Sequence, residues 1–295
     1  MPNRQPNRRE VIAFLQKEVA NQSWRLSLPR GHGHETYFAR SQERACFIKI
    51  GAHVNRYQAM ASIGLTPEVL AAGSLPNGKS ILVQPFIPGK YPRRKEYRLH
   101  LDQFARAIDS MHHSPAVKQV LPAVPSDLYR EAGLAALAHI QQKWERHKPQ
   151  VPKAAGFVDE SLEHLRDQII GFGGEGMAAS HNDICNGNWL VTPAGRVYLI
   201  DLESMSLDDP ALDIGATLWW YYPPALRARF LHITGYAGDP AFAQRMQMRM
   251  ALHCLNIILP RLNSFDQFDP AGFDEALTDF RAIFAGQENP QGYDE

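Results

Sequence analysis

The sequence predicts an α+β protein of two lobes: a small antiparallel sheet over residues 1–88, including a connector, and a mostly helical remainder over residues 89–295. Three observations point there. Five short β-like runs with one intervening helix fill the first ninety residues. Pro85, Pro88 and Gly89 then interrupt the pattern, as a connector between lobes would. From Arg98 onward apolar residues recur at helical spacing, except at one strand pair.

An amphipathic helix over residues 9–20 opens the chain, followed by β-like runs at 24–28, 35–40 and 45–50. The first two runs are joined by Pro29-Arg30-Gly31-His32-Gly33-His34. A helix at 54–63 and two further apolar runs at 69–72 and 80–86 complete the small lobe. Helical periodicity then marks 99–111, 126–147, 157–170 and several segments after Asp213. The strand pair at 189–191 and 197–200 carries its turn at Pro193-Ala194-Gly195. No internal repeat or low-complexity tract interrupts the chain.

A chain of 295 residues with 44% hydrophobic and 21% charged residues is long enough, and ordinary enough, to bury a sizeable core. Lys+Arg and Asp+Glu are both 31, so no basic excess points to a nucleic-acid partner. No apolar run could span a bilayer, and no leader-like stretch follows the first charges. Cys46, Cys185 and Cys254 are widely spaced and odd in number, which predicts a reducing cytoplasm rather than a disulfide framework. Oligomeric state leaves no mark in the sequence.

The chemistry concentrates in Ser180-His181-Asn182-Asp183-Ile184-Cys185-Asn186-Gly187-Asn188, followed by Val197-Tyr198-Leu199-Ile200 and then Asp201. His181, Asp183 and Asn188 reproduce the spacing H-x-D-x-x-x-x-N of a kinase catalytic loop. Asp183 can take a proton from an attacking hydroxyl. Asn188 and Asp201 offer oxygens to a divalent cation on nucleotide phosphates. A loop carboxylate capping a turn is the plain alternative for Asp183, and the joint presence of Asn188 and Asp201 argues against it. His181 reads as a scaffold for the loop. Asp213 reads as a helix-start or buried carboxylate tied to that loop, without a catalytic part.

Lys49, inside Phe47-Ile48-Lys49-Ile50, is a charge on a central strand, where an unpaired ammonium is costly and a phosphate partner offsets the cost. A snorkelling edge lysine is its alternative. Gly31 and Gly33 fit a phosphate-approaching turn and fit an ordinary hairpin equally well. Glu203, read as two residues beyond Asp201 on an extended segment, faces the same way and is either a cation or substrate contact or a solvated surface acid. In Trp219-Trp220-Tyr221-Tyr222, Trp220 shares a helix face with Asp213 and Thr217. It is either core packing or the wall of a substrate box.

On these motifs, together with Ile200-Asp201-Leu202-Glu203 and Asp209-Pro210-Ala211-Leu212-Asp213-Ile214-Gly215, the chain resembles the aminoglycoside phosphotransferase and choline kinase superfamily over nearly its whole length. The His-Asn-Asp triplet and the Asp-Ile-Gly resemble choline and ethanolamine kinases most. The resemblance implies a protein-kinase-like fold, ATP and Mg²⁺ as cofactors, and phosphoryl transfer to a hydroxyl of a small, cationic metabolite such as choline, ethanolamine, thiamine or an aminoglycoside. It also implies adenine contacts through the connector near Val83-Gln84-Pro85-Phe86-Ile87. The sequence departs from the family at one point. The helix after the lysine strand, Asn55-Arg56-Tyr57-Gln58-Ala59-Met60-Ala61-Ser62, lacks the usual glutamate; Gln58 could accept a hydrogen bond from Lys49 but cannot supply the opposite charge. A weak pseudokinase that senses nucleotide or binds protein is therefore the rival reading. A protein kinase is disfavoured by Asp201-Leu202-Glu203 in place of Asp-Phe-Gly and by the lack of an Ala-Pro-Glu segment.

Overall fold

A computed structural model describes residues 8–29, 36–260 and 268–293. In chain order the elements are α1 (Arg8–Glu18), β1 (Arg25–Ser27), β2 (Thr36–Arg40), β3 (Ala45–Ile50), α2 (Val54–Ser62), β4 (Ala71–Ser74) and β5 (Ser80–Pro85). Then come α3 (Arg94–Leu99), α4 (Leu101–His113), α5 (Pro115–Gln119), α6 (Tyr129–His147), α7 (Pro152–Ile170), β6 (Ala178–Ser180), β7 (Trp189–Val191), β8 (Val197–Leu199) and β9 (Ser206–Asp208). The chain closes with α8 (Ala211–Tyr221), α9 (Pro224–Ile233), α10 (Phe242–Ile258), α11 (Phe273–Ala276) and α12 (Thr278–Phe284). Among the described residues no helix is long and apolar enough to cross a membrane.

Two compact units divide these elements. The first comprises Met1–Tyr91, Ser114–Leu121 and Gly187–Ser204. Its five strands form an antiparallel sheet in the order β1-β2-β3-β5-β4, which places the lysine strand third of five, as predicted. The alternation of β3 does the sorting. Cys46, Ile48 and Ile50 point into a core with Val11 and Leu15 of α1 and with Trp24, Ile81 and Val83. Phe47 and Lys49 therefore point to the other face. The hairpin β7–β8 belongs to this unit, with Gly195 in the left-handed conformation its tight turn requires.

The second unit comprises Pro92–His113, Pro122–Asn186 and Met205–Glu295 and is mainly helical. Its core gathers Trp144 and Leu137 of α6, Leu162 and Leu165 of α7, Leu252 and Leu255 of α10, and Phe273 and Phe280 of the last helices. Gly215 of α8 lets α10 come close. A Cβ there would meet Met250 Cγ at 2.7 Å and the Met246 carbonyl at 3.3 Å, which a close-packed interior does not accommodate. The short pair β6–β9 brings Ser180 opposite Ser206 and so fixes both ends of the segment that precedes the candidate catalytic loop.

Candidate active site

In the sheet unit, Lys49 is the centre of a polar cluster. Its Nζ donates to Asp201 Oδ1 at 2.5 Å, to the Tyr57 hydroxyl at 2.7 Å and to Glu203 Oε1 at 3.1 Å. Burial works against the ammonium charge, but Tyr57 and the Asp201 carboxylate outweigh it and hold Lys49 above the ordinary lysine value. It is a fixed cation at any physiological pH. Burial pushes the Tyr57 hydroxyl up to about 12, so it stays protonated and donates to Glu203 Oε1 at 3.1 Å. The Leu202 backbone N–H donates to the same hydroxyl at 3.3 Å.

Tyr57 and its neighbour Arg56 answer the question raised by the missing helix glutamate. The partner of Lys49 on α2 is Tyr57 and not Gln58, which is exposed. A helix turns about 100° per residue, so one position decides which side chain faces the sheet. Arg56, buried beside it, donates through Nη1 to the carbonyls of Leu202 at 3.1 Å and Glu203 at 2.7 Å. The opposite charge comes from Glu203 itself. Residues Leu202–Ser204 form a 3-10 turn rather than the extended segment expected, and Glu203 reaches Lys49 from that turn. Asp201 takes a left-handed backbone, φ 61°, immediately before it. A non-glycine residue in that region costs energy and is held there by its surroundings. Asn188, buried, precedes β7, and its carbonyl accepts the Ile200 N–H at 2.8 Å, which ties the two ends of the hairpin.

In the helical unit, the loop after β6 is held by Asp213, as the sequence suggests. The Asp213 carboxylate accepts the backbone N–H of His181 at 2.7 Å and of Asn182 at 2.9 Å, and its Oδ2 lies 3.2 Å from His112 Nε2. Burial alone would raise Asp213, but the hydrogen bond and charge of His112 and the contacts with His181 hold it below the usual carboxylate value. Asn182 adopts a left-handed backbone, φ 62°, which Asn tolerates better than most residues, and its Nδ2 donates to Ser206 Oγ at 2.7 Å. His181 is fully buried, consistent with a scaffold. This clamp leaves Asp183 exposed at the loop tip.

Asp183 lines a cavity of about 780 Å³ together with Arg93, Arg94, Lys95, Cys185, Trp220, Tyr221 and His253. The four aromatics after Thr217 divide between two duties. Trp219 and Tyr222 are core residues, whereas Trp220 and Tyr221 face the cavity. Tyr221 stacks on Tyr97 with ring centroids 4.0 Å apart and accepts the Asn186 backbone N–H at 2.8 Å. Trp220 packs edge-on against His253 at 5.7 Å, and its indole N–H lies 3.5 Å from Asp279 Oδ2. Burial pushes His253 below the usual imidazole value, with the charge of Asp183 acting the other way. His253 is neutral at pH 7.

Of the residues singled out from the sequence, Lys49, Asp201 and Glu203 meet in one cluster, and Asp183 and Trp220 line one cavity. Gly31 and Gly33 lie outside the described residues. Sequence reasoning missed Tyr57, because attention to charge overlooked a hydroxyl. It also missed Arg93, Arg94 and Lys95, a run of three cations that a balanced total charge conceals.

A model of the phosphotransferase enzyme family matches residues 11–246, and the chain belongs to that family. Solved structures with the same fold include a choline/ethanolamine kinase family protein from Mesorhizobium loti, 19% identical with a TM-score of 0.67, the match covering 96% of this chain and 95% of that one. Choline kinase LicA from Streptococcus pneumoniae is 17% identical with a TM-score of 0.62, covering 92% of this chain and 98% of its own. The spectinomycin phosphotransferase APH(9)-Ia, solved with ADP and spectinomycin, is 13% identical with a TM-score of 0.57, covering 97% and 98%.

Proposed function

We propose that the protein is an ATP-dependent kinase that transfers the terminal phosphoryl group of Mg·ATP to a hydroxyl of a small molecule. The observation that carries this reading is the Lys49 cluster, in which an ammonium on the central strand meets the carboxylate that ends the hairpin, 152 residues later. A surface lysine has no need of three oxygen partners. An ammonium that has to meet nucleotide phosphates is kept charged and aimed by such a set.

The residues fit a hard cation bound mainly through phosphates. Asp201 and Asn188 supply one carboxylate and one neutral oxygen. Two protein oxygens leave room in a six-coordinate shell for phosphate oxygens and waters. Magnesium bound there would neutralise charge on the phosphates. Lys49 would bind the α- and β-phosphates, and Asp183 would accept the acceptor's proton. The acceptor oxygen bonds to the γ-phosphorus, the bond from that phosphorus to the bridging oxygen breaks, and ADP leaves. Positioned proton transfer of this kind contributes roughly 10²–10⁴-fold.

AMP and ADP are bound in the solved LicA and spectinomycin phosphotransferase relatives, which supports the nucleotide half of the reading. The pseudokinase alternative rested on the missing glutamate of α2, and the Tyr57–Glu203 pair supplies Lys49 with both a hydrogen bond and a charge. Calorimetry with Mg·ATP on wild type and Lys49→Met tests the reading. Wild type should bind in the micromolar to millimolar range usual for such enzymes, and the variant at least about tenfold more weakly. Absence of Mg·ATP binding in wild type would remove the proposal.

A further inference from the structure

The cavity around Asp183 is basic, which is the wrong sign for the cationic acceptor that family resemblance suggests. Arg93, Arg94 and Lys95 stand consecutively on its wall, and among the described residues Asp183 is the one carboxylate that lines it. His253 adds no negative charge. The buried Glu96 carboxylate accepts the Arg93 backbone N–H at 2.9 Å, and the Arg94 Nε donates to the Trp220 carbonyl at 3.2 Å. That bond ties the half-buried Arg94 to the Trp220 backbone at the edge of the cavity. A quaternary ammonium or an aminoglycoside entering here would meet three like charges on the wall, against the Asp183 carboxylate and that of Asp279 beside the Trp220 indole.

We infer that the acceptor is a small hydroxylated anion, whose carboxylate or phosphate is read by Arg93, Arg94 and Lys95 while its hydroxyl lies at Asp183. This rests on the kinase reading above for the fate of the hydroxyl, though not for the recognition of the anion. The guanidinium fork and the ammonium are complementary to either oxyanion, Arg in bidentate fashion and Lys as a point charge. Trp220 and Tyr221 form the apolar wall against which the carbon skeleton of such a molecule packs. In transfer, the acceptor oxygen takes the γ-phosphoryl group from ATP, its proton passes to Asp183, and ADP is released. The anionic group that anchors the molecule is unchanged.

A matched set of three-carbon acceptors separates charge from shape: glycerate, glycerol phosphate, glycerol and aminopropanediol. Each is titrated against the full chain with Mg·ATP at fixed ionic strength, with tryptophan fluorescence reading binding and ADP release reading transfer. The expected result is binding of glycerate or glycerol phosphate at least about tenfold tighter than of aminopropanediol. That preference should be lost or reversed in both Arg93→Glu and Lys95→Glu. The carboxylate and phosphate arms distinguish which oxyanion is read. Anion binding without ADP release would retain the anion site and sink the kinase reading. Equal or tighter binding of aminopropanediol overturns the inference, as does the lack of any anion binding. A charge reversal that weakens Mg·ATP affinity and leaves anion binding unaltered would do the same.

Discussion

Tyr57→Phe removes a single hydroxyl at the centre of the Lys49 cluster and leaves the ring in place. Three contacts go with it: from Lys49 at 2.7 Å, to Glu203 at 3.1 Å and from the Leu202 N–H at 3.3 Å. Hydrogen bonds to charged partners are worth about 1.5–3 kcal/mol net, and an unsatisfied buried N–H costs about 1–3 kcal/mol. The Lys49 side chain is 17% exposed and that of Glu203 37%, so water recovers part of each loss, and Lys49 keeps Asp201. The aiming of the ammonium is then weakened by about 1–2 kcal/mol, or roughly 5- to 30-fold in kcat/KM for ATP, with a stability loss of about 1 kcal/mol. Steady-state kinetics and denaturant titration read the two effects. Gln58→Ala, at the exposed neighbouring position, is the control and should change neither. Wild-type kinetics in Tyr57→Phe, or an equal loss in Gln58→Ala, would refute the assignment of Tyr57 as the residue that orients Lys49.

Asp201→Ala should weaken Mg·ATP binding by at least about tenfold, and by more than it weakens metal-free nucleotide binding, because it would take away the proposed metal ligand as well as a partner of Lys49. Unchanged calorimetric affinity with metal present would count against that role. Asp213 is held below the ordinary carboxylate value, so its contribution to stability is fully present above about pH 4 and is lost as pH falls through its lower folded value. Asp213→Asn should therefore be less stable at pH 7 by about 1–3 kcal/mol, with the gap to wild type closing in acid. A gap independent of pH would show that the carboxylate charge is not what holds the loop. Trp219→Leu should lower stability by about 2 kcal/mol without changing the acceptor KM, whereas Trp220→Leu should raise that KM several-fold at smaller cost in stability. The reverse pattern would exchange their places.

Much of the fold was legible because it depends on local period. The run at 45–50 was expected as a strand, and the structure gives it one core face through Cys46, Ile48 and Ile50. The candidate catalytic loop stood out for a similar reason, since the chemistry proposed for it needs fixed short spacings between His181, Asp183 and Asn188. Long-range pairing was not. Nothing in the α2 sequence shows that Tyr57 rather than Gln58 faces Lys49, because the rotation of a helix about its axis is settled by packing. The 3-10 turn at Leu202–Ser204 was missed because Asp201 leaves the strand through a left-handed backbone, a conformation that aspartate rarely declares in sequence. The basic wall of the cavity at Asp183 was hidden for another reason. Arg93, Arg94 and Lys95 lie about ninety residues before Asp183, and only the folded helical unit brings them to one cavity.

The central claim is that Asp183 acts on the acceptor and not on the nucleotide. Single-turnover phosphoryl transfer from Mg·ATP, measured beside Mg·ATP affinity on wild type and Asp183→Asn, tests it most directly. The account predicts that transfer falls by at least about 10²-fold while nucleotide affinity stays within about twofold of wild type. Near-normal transfer in the variant, or a loss of rate matched by an equal loss of Mg·ATP affinity, would contradict it.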